Sequence, residues 1–175
     1  MTPVLRAPPR TSACSASGGS THTKRAMRHD DELTDVILRE AIAIHRDLGP
    51  GLFELVYELV LADALERVGL CVERQVTVPV RYRGRTIAAG YRIDLLVENR
   101  VVVECKSLAK LREADTQQVL THLRLGGFTI GLLLNFGAAR LVDGVKRFVN
   151  KHQPTGGSVL RINREPQDGK ARPIA

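Results

Sequence analysis

Gly90-Tyr91-Arg92-Ile93-Asp94-Leu95-Leu96-Val97, Glu98-Asn99-Arg100, Val101-Val102-Val103-Glu104-Cys105-Lys106: two apolar runs flank a three-residue polar break. That is the pattern of a strand, a tight turn and a second strand. Val101-Val102-Val103 shows no alternation, as in a strand buried on both faces. With residues 98–100 as the turn, Val97 pairs with Val101, Leu96 with Val102, Leu95 with Val103 and Asp94 with Glu104. The last pair sets two carboxylates opposite one another, with Cβ atoms roughly 4.5–5.5 Å apart. Glu104 and Lys106, two residues apart, share that face, and Cys105 points to the other.

Charges inside apolar strands need a reason. Like charges directly opposite cost a bare sheet up to about 1 kcal/mol, and more when desolvated. A positive group is expected between them. A hard divalent cation such as Mg²⁺ takes oxygen ligands and keeps several waters, which suits an open carboxylate site. Such an ion polarises a phosphoryl oxygen and acidifies a bound water, and Lys106 on the same face can stabilise charge building on a phosphate. The pattern alone reads equally well as an internal ion network, because D…ExK is a short motif.

Working outward, Leu33, Val36, Ile37, Ile44 and Leu48 keep helical spacing until Gly49-Pro50-Gly51, and a second helix is expected from Phe53 to Val68, with Gly69 after it. From Val72 to Tyr82 the period becomes two, a strand with one polar face. Pro79 cannot donate to a ladder, which places that strand at or near an edge, and Gly84 marks the following turn. Beyond Lys106 the spacing predicts a helix over about 110–125, a buried strand over 128–136, and a short last strand at Val145–Val149. A helix between two buried strands implies a parallel crossover. The expected class is α/β: a mixed sheet, formed by a three-strand antiparallel meander plus a crossover strand, flanked by helices.

The formal net charge of +7 changes meaning when divided. Residues 1–29 and 151–175 together contribute +8, and 30–150 carry −1, so overall charge says little about a nucleic-acid surface on the core. The first 29 residues are rich in Ser, Thr, Pro and Arg and lack a hydrophobic signal region. They are expected to form a disordered basic tail over 1–30, matched by a flexible basic tail over 151–175 around a domain at 31–150. Met27, just before the first patterned segment, is a candidate for the true start. Cys14, Cys71 and Cys105 show no zinc-ligand spacing, and a reduced, cytoplasmic protein is expected. The longest apolar runs, such as Ile130–Phe136, fall far short of the ~18–20 residues a spanning helix needs, so no membrane association is expected.

Gly51-Leu52-Phe53-Glu54-Leu55-Val56-Tyr57 matches a GxxExxY signature. His45–Gly51, Gly90–Val97, Val103–Lys106, Gln118–Leu125 and Leu133–Phe136 resemble further blocks of the GxxExxY family, a branch of the PD-(D/E)XK nuclease superfamily. The resemblance spans about 33–150. It implies a restriction-endonuclease-like core and a Mg²⁺-dependent endonuclease, with Mn²⁺ able to substitute, acting on nucleic acid and on DNA in preference to RNA. It also implies Asp94, Glu104, Glu54 and the backbone carbonyl of Cys105 as metal ligands, Lys106 as the catalytic lysine, and Glu54 and Gln118 in the catalytic group. His45, Tyr57, Tyr91 and Arg92 are candidate substrate contacts. His122 stands where the family usually has an aromatic residue such as Tyr. One active centre cuts one strand, so cleavage of a duplex would call for a homodimer. The alternative is a catalytically silent nucleic-acid-binding or regulatory module on the same fold.

Overall fold

A computed structural model of the protein describes residues 29–83 and 85–150. The chain begins with two helices, α1 (Asp30–Leu48) and α2 (Glu54–Arg67). Helix α1 starts three residues before its apolar period does. Asp30, Asp31 and Glu32 fill its first turn, where carboxylates suit the positive end of the helix dipole. Arg100 and Arg147 reach Asp30 and Asp31 from the sheet. Gly49 and Gly51, at φ +70° and +108°, break the chain between the helices in a conformation that side chains disfavour.

Three strands follow, β1 (Val72–Tyr82), β2 (Arg85–Val97) and β3 (Val101–Lys106). Next come helix α3 (Glu113–Gly126), strand β4 (Ile130–Asn135), a 3-10 turn at Leu141–Gly144 and strand β5 (Val145–Val149). The strands form one sheet in the order β1-β2-β3-β4-β5. Only β3 and β4 run parallel, joined through α3, and the other neighbours are antiparallel. This is the mixed α/β arrangement of a restriction-endonuclease-like fold. Strand β1 lies at the sheet edge, and its register with β2 shifts between Val78 and Val80, around Pro79. Gly90 permits that irregularity, because a β-carbon there would lie 1.8 Å from the Val78 carbonyl oxygen.

The sheet is covered on both faces. Leu33, Ile37, Ala41 and Ile44 of α1 and Tyr57, Leu61 and Leu65 of α2 pack with Val101, Val103 and Cys105 of β3 on one side. Val119 and Leu123 of α3 pack with Val102 and Leu133 on the other. Strands β3 and β4 are buried along their whole length, which accounts for their unbroken apolar runs. Residues 98–100 form the expected turn: Glu98 and Asn99 have positive φ, and the Arg100 N–H donates to the Val97 carbonyl at 3.0 Å.

The expected tail over 151–175, most of that over 1–30, the start at Met27 and the turn at Gly84 lie outside the described residues. Cys105 is a free, buried thiol. Among the described residues no helix is long and apolar enough to cross a membrane.

Candidate active site

The pairs Val97↔Val101, Leu96↔Val102 and Leu95↔Val103 form as the three-residue turn demands. The ladder does not continue to Asp94 and Glu104. Alternation fails at that level in β2: Leu95 packs into the α1/α2 core, but Ile93, two residues away, packs into the α3 core. Strand β1 makes the same switch, with Val72 against the first core and Val76 in the second. Asp94 lies where β2 leaves β3. Instead of a simple cross-strand pair, its Oδ2 accepts the Cys105 N–H at 3.0 Å.

Along a strand, successive N–H and C=O groups point to opposite edges. The Lys106 carbonyl accepts from Phe136 N–H just beyond β4, at 2.7 Å, whereas the Cys105 N–H faces Asp94 on the β2 side. The Cys105 carbonyl is therefore directed to the Asp94 side as well.

Glu104 is fully buried. Its Oε1 accepts from Lys106 Nζ at 2.8 Å and from the Gln118 amide through a short hydrogen bond. Its Oε2 is buried without a hydrogen-bond partner among the described residues and lies 3.4 Å from His122 Nδ1. Lys106 Nζ also stands 3.4 Å from Glu54 Oε1, at the first turn of α2. Glu104, Lys106, Gln118 and Glu54 thus form one connected group, drawn from β3, α3 and α2.

Asp94 joins it electrostatically. Burial, and then the nearby Glu104 charge, push its carboxyl up from the ordinary 3.8 to about 7, against the opposing pull of the Cys105 N–H and Lys106. Burial works against the charge on Lys106, but the Glu104 hydrogen bond and the charges of Glu104, Glu54 and Asp94 outweigh it and raise that group. The lysine therefore stays cationic. Burial, followed by the surrounding carboxylates, keeps the Cys105 thiol protonated, so of that residue only the backbone is suited to act as a ligand.

The remaining sequence candidates divide. Tyr91 is 44% exposed and packs edge-on against His122, with ring centroids 5.7 Å apart, so it rims the site. Arg92 is exposed on the same strand. Tyr57 is fully buried and stacks on Phe136 at 4.4 Å. Its hydroxyl donates to the Gly49 carbonyl at 2.6 Å and accepts the Leu52 N–H at 3.2 Å. That leaves Tyr57 no surface for substrate: it holds the Gly-Pro-Gly loop that aims Glu54. His45 is buried too, with Nε2 2.9 Å from the Ala138 carbonyl oxygen, and it ties α1 to the segment after β4.

Four neighbours were not among the site residues expected from the sequence. Glu58, 3% exposed, accepts from Arg74 at 3.0 Å and from the Gln75 amide at 2.6 Å. Its signal was present, since Glu58 follows Glu54 by four residues and precedes Leu61 by three, on the buried face of α2. His122 follows Gln118 by four on α3, so the same rule brings it to Glu104. Arg74 and Gln75 carried no comparable signal, because an unbroken alternation hides the kink at which they sit.

The donors present fit a hard cation. Asp94 and Glu104 supply carboxylates whose mutual repulsion the lysine only partly offsets, Glu104 Oε2 accepts no hydrogen bond among the described residues, and the Cys105 carbonyl is aimed to the same side. No three His, Cys, Asp or Glu side chains among the described residues form a ready cage. By its chemistry, an all-oxygen donor set suits a hard ion such as Mg²⁺ better than a closed tetrahedral zinc site.

No match was found among curated proteins or among solved structures. A family model described as the PD-(D/E)XK nuclease superfamily matches residues 31–148, which takes in all but the first residue of α1 and the last of β5, together with all the candidate site residues above. The chain belongs to the PD-(D/E)XK nuclease superfamily.

Proposed function

We propose that the protein is a metal-dependent endonuclease of the GxxExxY branch that hydrolyses phosphodiester bonds, with DNA as preferred substrate and Mg²⁺ or Mn²⁺ as cofactor. The observation that carries the reading is a buried carboxylate, Glu104, bound to a cationic Lys106 and set beside a second carboxylate, Asp94, whose charge the fold leaves poorly compensated. Asp94, Glu104 and the Cys105 carbonyl would hold the ion, with Glu54 beside them. When bound, such an ion polarises the phosphoryl group and lowers the pKa of a water.

Lys106, being cationic, serves the developing phosphate charge and orients the attacking water; it is not poised to accept a proton. Gln118 fixes the Glu104 rotamer through their hydrogen bond, and Lys106 is steadied from its other side by Glu54. Tyr91, exposed beside His122, supports a substrate contact at the rim, and Arg92, exposed on the same strand, is the second candidate for one. Cleavage of both strands of a duplex would require two copies.

The test is cleavage of single-stranded and duplex DNA and RNA with Mg²⁺ or Mn²⁺, by wild type and by Asp94→Asn, Glu104→Gln and Lys106→Ala. Wild-type cleavage that falls more than about 100-fold in each variant is expected. Cleavage undiminished in Lys106→Ala would remove the lysine from the mechanism. Tight nucleic-acid binding without cleavage under any metal would favour the catalytically silent module instead.

A further inference from the structure

Gln75 has φ +54°, a left-handed conformation in the middle of an eleven-residue strand. A residue with a β-carbon is strained there, and such strain persists where surrounding contacts impose it. Strand pairing does not require it, because Arg74↔Leu95 and Val76↔Ile93 keep a common register on either side. The kink coincides with the level at which β1 and β2 both exchange the faces they present, and the positions between the paired residues are Gln75 and Asp94.

The Gln75 amide donates to Glu58 Oε2 at 2.6 Å and stands 3.5 Å from Asp94 Oδ1. Glu58 is held in turn by Arg74, whose guanidinium reaches Oε1 at 2.9 and 3.0 Å. Both oxygens of Glu58 are thus engaged inside the fold, as an anchor requires. An amide NH₂ carries two hydrogens and no charge, so it can bridge two carboxylates without neutralising either. A lysine or arginine at that point would compete with a cation for Asp94.

We propose that Gln75 is a positioning residue for Asp94. Anchored by Glu58 and Arg74, it steadies Oδ1 while the Cys105 N–H holds Oδ2, so that the carboxylate is presented to a divalent cation in one orientation. This rests on the metal site proposed above. Partners of this kind typically change metal affinity by 10- to 100-fold when removed, and the loosest link in the chain, that between Gln75 and Asp94, argues for the lower end.

The left-handed backbone separates this role from a merely structural one. Gln75→Gly removes the amide but relieves the strained φ, which offsets part of the hydrogen bond lost to Glu58, so the full-length variant should stay folded and melt within about 5 °C of wild type. Titration calorimetry should nevertheless show it binding Mn²⁺ about 10-fold more weakly. Gln75→Asn, whose side chain also tolerates this φ but is one methylene shorter, should fold and show the same weakening. Wild-type affinity in both variants overturns the proposal while leaving the metal site intact. Affinity lost only together with a fall in melting temperature of more than about 10 °C in both variants overturns it in favour of a structural role. Absence of any Mn²⁺ or Mg²⁺ binding by wild type refutes the metal site itself, and this inference with it.

Discussion

Asp94→Asn should make the metal-free protein more stable at neutral and alkaline pH while removing its ability to bind metal. In the folded chain the carboxyl is pushed from 3.8 to about 7, first by burial and then by Glu104. The unfolded chain releases its proton near the ordinary value, but the folded chain keeps it until about pH 7. Between those limits the native state binds more protons, so stability falls as pH rises through the window and is level above it. Three units at about 1.36 kcal/mol each give a destabilisation of about 4 kcal/mol at pH 8, and well under half of that at pH 4.5. Asparagine cannot ionise, and its Oδ1 can still accept the Cys105 N–H. Urea unfolding of both proteins in chelator at pH 4.5 and pH 8 should therefore show a gap that opens with pH, with the variant ahead. Mg²⁺ should narrow it from the wild-type side only, by about 2.7 kcal/mol at one hundred times its dissociation constant. A gap that is constant with pH, or a variant no more stable at pH 8, would refute the placement of an uncompensated carboxyl at this position.

Lys106→Met should destabilise by about 3–5 kcal/mol in urea unfolding, because it strands Glu104 in the core without its cation. Adding Glu104→Gln to that variant should recover most of the loss without restoring cleavage. Tyr57→Phe removes the hydroxyl that joins Gly49 and Leu52, and should cost about 1–3 kcal/mol in the same assay while KM per folded molecule is unchanged; a several-fold KM shift at full stability would return Tyr57 to the substrate surface. Deleting residues 1–29 and 151–175, which carry +8 against −1 for the rest, should weaken DNA binding at low salt. It should also flatten the dependence of log affinity on log salt by about 0.9 for each phosphate that the tails neutralise in the full-length protein, measured by fluorescence anisotropy.

The hairpin that decides the fold was legible because both of its determinants are local. A three-residue turn sets register, and an unbroken apolar run states that β3 is buried on both sides; the structure keeps Leu95↔Val103 and both pairs between it and the turn. Element ends read less well where tertiary contacts set them. Helix α1 gains its first turn from acidic residues met by Arg100 and Arg147, and α3 starts at Glu113, after a segment in which the Asn135 side chain clasps Leu108 through both its N–H and its C=O. Of the candidate site, the grouping of some residues was legible, but the geometry was not. Spacing of two puts Glu104 and Lys106 on one face, and the structure joins them at 2.8 Å. The pairing of Asp94 with Glu104 assumed an alternation that fails at that residue, where β1 and β2 change faces together.

That failure bears on what the site can do. An ideal ladder would have held Asp94 between two backbones and spent the Cys105 N–H on strand pairing. Ending the ladder one pair early frees that N–H for the Asp94 carboxylate and aims the Cys105 carbonyl alongside it. A regular sheet could offer side-chain donors on its face, but not a backbone carbonyl and a side chain converging at its edge. The sequence rule that fails here therefore fails at the residue where the proposed chemistry needs an exception.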